Sequence, residues 1–96
     1  MRIAGRERIQ LFCAKHADAR AWVERWLADV ELAVWTTPQH IRNQYASASF
    51  LPDGVVIFNV RGNTYRLEVA VAYRTGTVSI RWAGTRREYD ERNRRR

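Results

Sequence analysis

The sequence contains a single cysteine, Cys13, and only two histidines. One cysteine cannot form an intramolecular disulfide, and no cluster of cysteine and histidine has metal-ligand spacing. We therefore expect neither a disulfide nor a bound metal or other cofactor. No apolar run is long enough to cross a bilayer, and the opening residues MRIAGRERIQ lack the apolar segment of a secretory signal. These absences favour a cytoplasmic protein with no membrane segment.

Acidic residues are fewer than basic ones: ten Asp and Glu stand against seventeen Lys and Arg, which gives a net charge of +7. Every basic residue except Lys15 is an arginine. The guanidinium group binds phosphate through paired hydrogen bonds and stacks on bases, so this composition points first to nucleic acid. An acidic protein partner is the competing interpretation.

Three runs rich in β-branched and aromatic residues occupy residues 55–90, and the pairs Gly62-Asn63 and Thr75-Gly76 separate them. Gly-Asn is a favourable hairpin turn, whereas Thr-Gly is a weaker one because threonine disfavours positive φ. The pattern predicts a three-stranded antiparallel meander.

Two-residue turns would fix the register of both hairpins. Phe58 would face Leu67 in the first hairpin, and Val69 would face Trp82 in the second, on a continuous apolar face. The opposite face would hold small residues together with polar and charged ones, among them Asn59, Arg61, Arg66, Glu68, Arg81 and Thr85. We expect this second face to be an open, positively charged floor, for which a solvated outer surface is the simpler interpretation.

Apolar residues before residue 50 recur at helical spacing and predict three helices. The first spans about residues 5–16, the second runs from an Asp18 N-cap to about residue 34, and the third spans about residues 38–45. Residues 1–3 are a candidate edge strand of the sheet.

Thr85 and Glu88 have the spacing of a capping box and predict a last helical turn over residues 86–93. Residues 91–96 hold four arginines and are expected to form a flexible basic tail. The order of elements predicts one α+β domain over residues 1–96, with N-terminal helices packed on one face of a C-terminal antiparallel sheet.

Two segments of the predicted sheet carry a family resemblance: FNVRGNTYRLEVAVAY, residues 58–73, and VSIRWAGTRREYDE, residues 78–91. These segments resemble the HigB family of toxins from bacterial type II toxin–antitoxin systems. The resemblance lies in the pairs FN and GN, in the triplet YRL, and in GT followed by EYD. The helical half agrees more loosely through Lys15-His16 and Asp18-Ala19. The resemblance implies a RelE-like fold, with helices packed on an antiparallel sheet.

The resemblance also implies a function. Toxins of this family cut messenger RNA, usually in the ribosomal A site, and so inhibit translation. A HigA-type antitoxin with a helix-turn-helix holds them inactive. The expected activity of this chain is therefore that of a metal-independent endoribonuclease, an mRNA interferase, and its expected partners are mRNA, the ribosome and such an antitoxin.

One residue departs from the family pattern. Where the family often has a histidine after Gly84-Thr85, this chain has Arg86. A histidine there could transfer protons near neutral pH, whereas an arginine stays protonated and is poor at that task, although it can still hold a phosphate. Proton transfer then falls to another group, or the reaction depends on charge and alignment, or the activity is weak.

Cleavage of RNA without a metal begins when the 2′-OH attacks the adjacent phosphate, and it requires charge stabilisation and proton transfer. Arg66 and Arg81 are the candidates to clamp the phosphate, Arg86 extends the clamp, and Tyr89 is the candidate for proton transfer or base stacking. These four are the predicted catalytic residues. The predicted RNA-binding residues are Asn59, Arg61, Asn63, Arg66, Arg81 and Arg87.

Four other side chains fit structural roles better than catalytic ones. Cys13 lies on the apolar side of the first predicted helix, where a lone cysteine is usually buried. His16 and His40 have no obvious carboxylate partner at catalytic spacing, and Glu88 fits helix capping. Two alternatives to the nuclease stay open: a non-catalytic RNA- or ribosome-binding module of the same fold, and a docking surface for an acidic protein.

Overall fold

The computed structural model describes residues 1–94, which form a five-stranded sheet and four α-helices. The strands are β1 (Arg2–Ala4), β2 (Ser49–Phe50), β3 (Val55–Val60), β4 (Tyr65–Ala72) and β5 (Thr77–Thr85), and the helices are α1 (Arg6–Lys15), α2 (Arg20–Leu32), α3 (Pro38–Gln44) and α4 (Arg86–Arg94). The sheet order is β1-β5-β4-β3-β2, and only β1 with β5 is a parallel pair among these strands. The α+β class, the meander and the edge strand are confirmed.

The first three helices cover one face of the sheet, as predicted. Trp26 of α2 is fully buried, and its ring meets that of Phe58 on β3 edge-on at a centroid distance of 5.5 Å. Alternation along the strands sends the apolar residues of β3, β4 and β5 to the same side. The buried residues of this core include Ile9, Phe12, Val23, Val30, Ile41, Val56, Leu67, Val69, Val78 and Ile80.

The start of α2 differs from the prediction. A 3₁₀ turn over Ala17–Ala19 precedes the helix, which begins at Arg20 without a side-chain cap. Asp18 is not the N-cap, because its two carboxylate oxygens accept hydrogen bonds from Tyr65 Oη and Arg61 Nη1, both at 2.6 Å. The bond from Tyr65 is the main cause that lowers the pKa of Asp18. The carboxylate therefore ties the beginning of α2 to the first hairpin.

The first hairpin has the predicted register. Phe58 pairs with Leu67, and the ladder ends where Val60 meets Tyr65. Gly62 in the connecting turn has a φ of 68°, a left-handed conformation that glycine adopts without steric cost.

The second hairpin has a different register from the predicted one. Four residues, 73–76, connect the strands, and the amide of Gly76 donates a hydrogen bond to the carbonyl of Ala72 at 2.9 Å. Gly76 takes the left-handed conformation, with a φ of 67°, so Thr75 does not need a positive φ. As a result Val69 pairs with Ile80 rather than with Trp82.

A β-bulge then changes the register by one residue. Next to the Val69–Ile80 pair, Glu68 pairs with Trp82, and Arg81 is the extra residue of β5 with no partner in the ladder. The bulge places Trp82 on the face opposite the core. The prediction that Trp82 belongs to the core face is therefore wrong. On the second face, Arg66 pairs with Gly84 and Ala70 with Ser79.

Gly84 provides the space that the displaced tryptophan needs. A Cβ atom at this position would lie 2.7 and 2.8 Å from two carbons of the Trp82 ring, and 2.9 Å from Glu88 Oε1. Since its φ is not positive, the constraint at Gly84 is steric rather than conformational.

We predict that Gly84→Ala lowers the free energy of unfolding by about 1–3 kcal/mol, the usual range for overpacking, as measured by urea denaturation. Trp82→Leu removes the clashing ring atoms, so the same glycine substitution should cost less in that background. An equal cost in both backgrounds would show that the tryptophan ring is not the constraint.

Candidate functional site

The second face of the sheet is partly covered. Ile57, Glu68 and Trp82 form a row across β3, β4 and β5 on this face. Ile57 and Glu68 are 3% and 2% exposed, although neither belongs to the main core. The predicted open floor is therefore wrong for this row, because helix α4 lies over it.

Helix α4 begins with the predicted capping box. The amide of Thr85 donates to Glu88 Oε1 at 2.8 Å, and the amide of Glu88 donates to Thr85 Oγ1 at 3.1 Å. The bond from the Thr85 backbone is the main cause that lowers the pKa of Glu88. The Glu88 side chain thus serves the helix start, the structural role that its spacing favours.

The body of α4 is attached to the sheet through aromatic and ionic contacts. Tyr89 packs against Trp82 with 5.9 Å between ring centroids. Arg92 Nη1 donates to Glu68 Oε1 at 2.8 Å, and its guanidinium carbon lies 5.2 Å from the centroid of the Trp82 ring. The predicted helical turn over residues 86–93 is present. Residues 91–94, which overlap the expected flexible tail, belong to α4, and residues 95 and 96 of that tail lie outside the described residues.

Arg66 lies in the next row of the second face, between Asn59 on β3 and Gly84 on β5. The residue is half-buried, and its Nη1 atom is buried without a hydrogen-bond partner within residues 1–94. A buried guanidinium nitrogen without an acceptor is unfavourable. An anionic group bound beside Arg66 would supply the missing acceptor.

The end of the sheet next to Arg66 brings several predicted residues together. The amide of Arg86, at the start of α4, donates to the carbonyl of Thr64 at 3.3 Å, so the helix start meets the β3–β4 turn. That turn carries Arg61 and Asn63, both exposed. The fold therefore gathers basic and amide side chains from the turn, β4 and α4 at one end of the sheet.

The two remaining predicted arginines, Arg81 and Arg87, lie on β5 and α4. Arg81 is exposed at the bulge, and its carbonyl accepts a hydrogen bond from Arg8 Nη1 at 2.7 Å. Arg87 is exposed on α4, with its Nε atom 3.5 Å from the Glu91 carboxylate. A groove of about 510 Å³ along the same helix is lined by Arg86, Arg87, Asp90, Glu91 and Arg94.

Sequence reasoning did not identify the surroundings of His16. Its ring lies 4.9 Å from that of Tyr65 and 5.2 Å from that of Phe12, at the end of α1. His40 is exposed, and its Nδ1 atom accepts a bond from the amide of Thr36 at 3.1 Å. Only the folded chain brings His16 next to β4 and α4, so no local sequence signal could have distinguished the two histidines.

Cys13 is buried within the main core, as predicted. Burial raises the pKa of its thiol and so disfavours the reactive thiolate. Within the described part of the chain, no group of three or more His, Cys, Asp or Glu side chains could hold a metal ion. No helix in residues 1–94 has the length and apolarity to cross a membrane.

The chain matches the model of a known protein family. A family model described as HigB toxin, RelE-like toxic component of a toxin–antitoxin system, matches residues 19–92, which is well over half of the chain. The matched range includes α2, α3, the whole sheet except β1, and most of α4. No curated protein matches the chain.

The contact between Glu68 and Arg92 generates a stability prediction. Arg92→Ala leaves a buried carboxylate without its cation and should lower the free energy of unfolding by about 2 kcal/mol. Arg87→Ala is the matched control on the same helix. Its ion pair with Glu91 is exposed, so its loss should change stability by less than about 0.5 kcal/mol in the same denaturation experiment. Equal effects of the two substitutions would contradict this account of α4.

Proposed function

This chain belongs to the HigB family of RelE-like toxins, and on that basis we propose that it is an endoribonuclease that cleaves messenger RNA. The family makes it the toxin of a toxin–antitoxin system. In the proposed reaction it acts in the cytoplasm on mRNA held in the ribosomal A site, requires no metal or other cofactor, and inhibits translation.

The observation that carries this proposal is the unpaired guanidinium nitrogen of Arg66 at the basic end of the sheet. Arg66 extends from a central strand and is half-buried, while the exposed Arg61 and Arg86 lie on the turn and on α4 at the same end. A cation at a partly buried position stabilises phosphate charge more strongly than a solvated one. RNA is the phosphate ligand that agrees with the family.

The proposed chemistry assigns a task to each predicted residue. The 2′-oxygen bonds to the adjacent phosphorus, its proton leaves to solvent or a base, the bond to the 5′-oxygen breaks, and that oxygen takes up a proton. Arg66 and Arg81 stabilise the charge on the phosphorane, Arg86 holds the phosphate, and Tyr89 transfers a proton or stacks on a base. The RNA on either side is bound by Asn59, Arg61, Asn63 and Arg87.

One observation favours a second candidate function, a non-catalytic RNA- or ribosome-binding module. Arg86 occupies the position after Gly84-Thr85 where the family often has histidine, and a guanidinium, which stays protonated near neutral pH, is a poor general acid or base. A binding module would keep affinity for RNA but would produce no new RNA ends.

The nuclease proposal predicts new 5′ ends within translated codons when mRNA from briefly induced cells is mapped by primer extension. Arg66→Ala combined with Arg81→Ala should lower their yield at least about 100-fold, because each arginine stabilises charge that develops in the transition state. Arg74→Ala is the control, since this exposed arginine lies in the β4–β5 turn at the other end of the sheet.

Unchanged transcripts in cells that express the wild-type chain would exclude the nuclease and leave the binding module. New ends that persist at the wild-type level in the double variant would locate the reaction elsewhere on the molecule.

The family implies an antitoxin partner, and we propose a HigA-type protein with a helix-turn-helix. Expression of the toxin alone should arrest growth, and coexpression of the neighbouring open reading frame should restore it, as measured by colony counts. A catalytically inactive Arg66→Ala, Arg81→Ala variant controls for the burden of expression. Growth arrest that the neighbouring frame does not relieve would contradict this partner.

A further inference from the structure

A second groove lies between α1 and the end of β5, away from the row that α4 covers. Its volume is about 410 Å³, and its lining includes Arg8, Leu11, Lys15, His16 and Glu88. β1 pairs with β5 only over Thr77–Ser79. Beyond Ser79 no strand within residues 1–94 lies on that side of β5, and α1 contacts β5 instead. The groove is therefore a consequence of the short first strand.

The charge of the groove favours an anion. Arg8 and Lys15 supply two cations, against the single carboxylate of Glu88. That carboxylate already accepts the amide of Thr85 in the capping box. Arg8 donates one guanidinium hydrogen to the carbonyl of Arg81 and has four more donors to offer.

The groove is also lined by the ring of His16, whose position is set by its aromatic neighbours. The His16 ring contacts the rings of Phe12 and Tyr65, and the Tyr65 hydroxyl is held by Asp18 at 2.6 Å. His16 is half-buried, and the exposed Leu11 extends the apolar wall. A supported aromatic ring beside two cations is the combination with which proteins bind single-stranded nucleic acid, by stacking a base and neutralising a phosphate.

The position of the groove connects it with the basic end of the sheet. Gly84 lines the groove and pairs with Arg66, while Glu88 lies on the first turn of α4 beside Arg86. A strand bound at Arg66 could therefore continue past the start of α4 into the groove. The residues of α1 lie outside the range matched by the family model, so that match does not assign them a role.

We propose that this groove binds one nucleotide of the substrate RNA beyond the reacting phosphate, with Arg8 and Lys15 on the phosphate and His16 stacked on the base. The inference rests on the proposed function, because it names a further part of the same substrate site. Its ligand is single-stranded RNA rather than an acidic protein segment, since the fixed ring would add nothing to the binding of carboxylates.

The experiment measures binding of a short fluorescent oligoribonucleotide whose 2′-hydroxyls are methylated, which prevents cleavage. Arg8→Ala with Lys15→Ala should weaken binding about tenfold through lost charged hydrogen bonds. The double substitution should also make the slope of log K against log salt concentration less steep by about 0.7, which is the contribution of one phosphate contact on a single strand. His16→Ala should weaken binding about tenfold with the salt dependence unchanged, because a stacking contact is lost.

Two matched controls are available in the chain: Arg74→Ala for the cations and His40→Ala for the ring. A measurement on the unmodified protein does not depend on whether the variants fold. Adding the same oligonucleotide to it should shift the imidazole NMR signals of His16 and leave those of His40 unchanged.

Equal affinities for all variants, together with unshifted His16 signals, would overturn the groove as an RNA subsite. If the wild-type chain still cleaved mRNA in that case, the proposed function would stand without it. A wild-type chain that neither cleaved mRNA nor bound the oligonucleotide would overturn both. Variants that lost affinity only for an acidic peptide would also overturn the inference and assign the groove to a protein partner.

Discussion

The change of register between β4 and β5 is the constraint on which the second face of the sheet depends. One extra residue, Arg81, moves Trp82 from the core side to the opposite side and sets it against Glu68. The Trp82 ring then contacts Tyr89 and Arg92 of α4. In a regular hairpin the same ring would have pointed into the core. A single bulge thus converts an outer face of the sheet into a second, smaller layer of packing.

The ion pair between Glu68 and Arg92 determines which arginine stays available for a ligand. Glu68 and Arg66 are two residues apart on β4, so both point to the second face, and the carboxylate could in principle have bound either arginine. It binds Arg92 of α4, which leaves Arg66 Nη1 without an acceptor. Because desolvation offsets much of the attraction in a buried ion pair, its main effect here is to fix the position of α4.

Sequence reasoning succeeded where local chemistry determines structure. The Gly62-Asn63 turn gave the correct register of the first hairpin, and Thr85 with Glu88 gave the correct start of α4. It failed at the second hairpin. The weak Thr75-Gly76 pair was a signal against a two-residue turn, but nothing local indicated the four-residue turn or the bulge. Which arginine Glu68 binds, and that His16 reaches Tyr65, depend on packing between distant segments and could not be inferred from spacing.

The arginine after Gly84-Thr85 affects how the basic end of the sheet at Arg66 and the groove beside α1 would work together. A guanidinium can hold and neutralise a phosphate but stays protonated near neutral pH, so with Arg86 the proposed reaction depends more on charge, on alignment and on any proton transfer by another group such as Tyr89. Alignment is supplied by contacts remote from the reacting bond, whose binding energy holds the nucleophile and phosphorus in line. An additional nucleotide bound beside α1 would provide such contacts. On the proposed function, the groove would therefore matter more in this chain than in a relative with a histidine at that position.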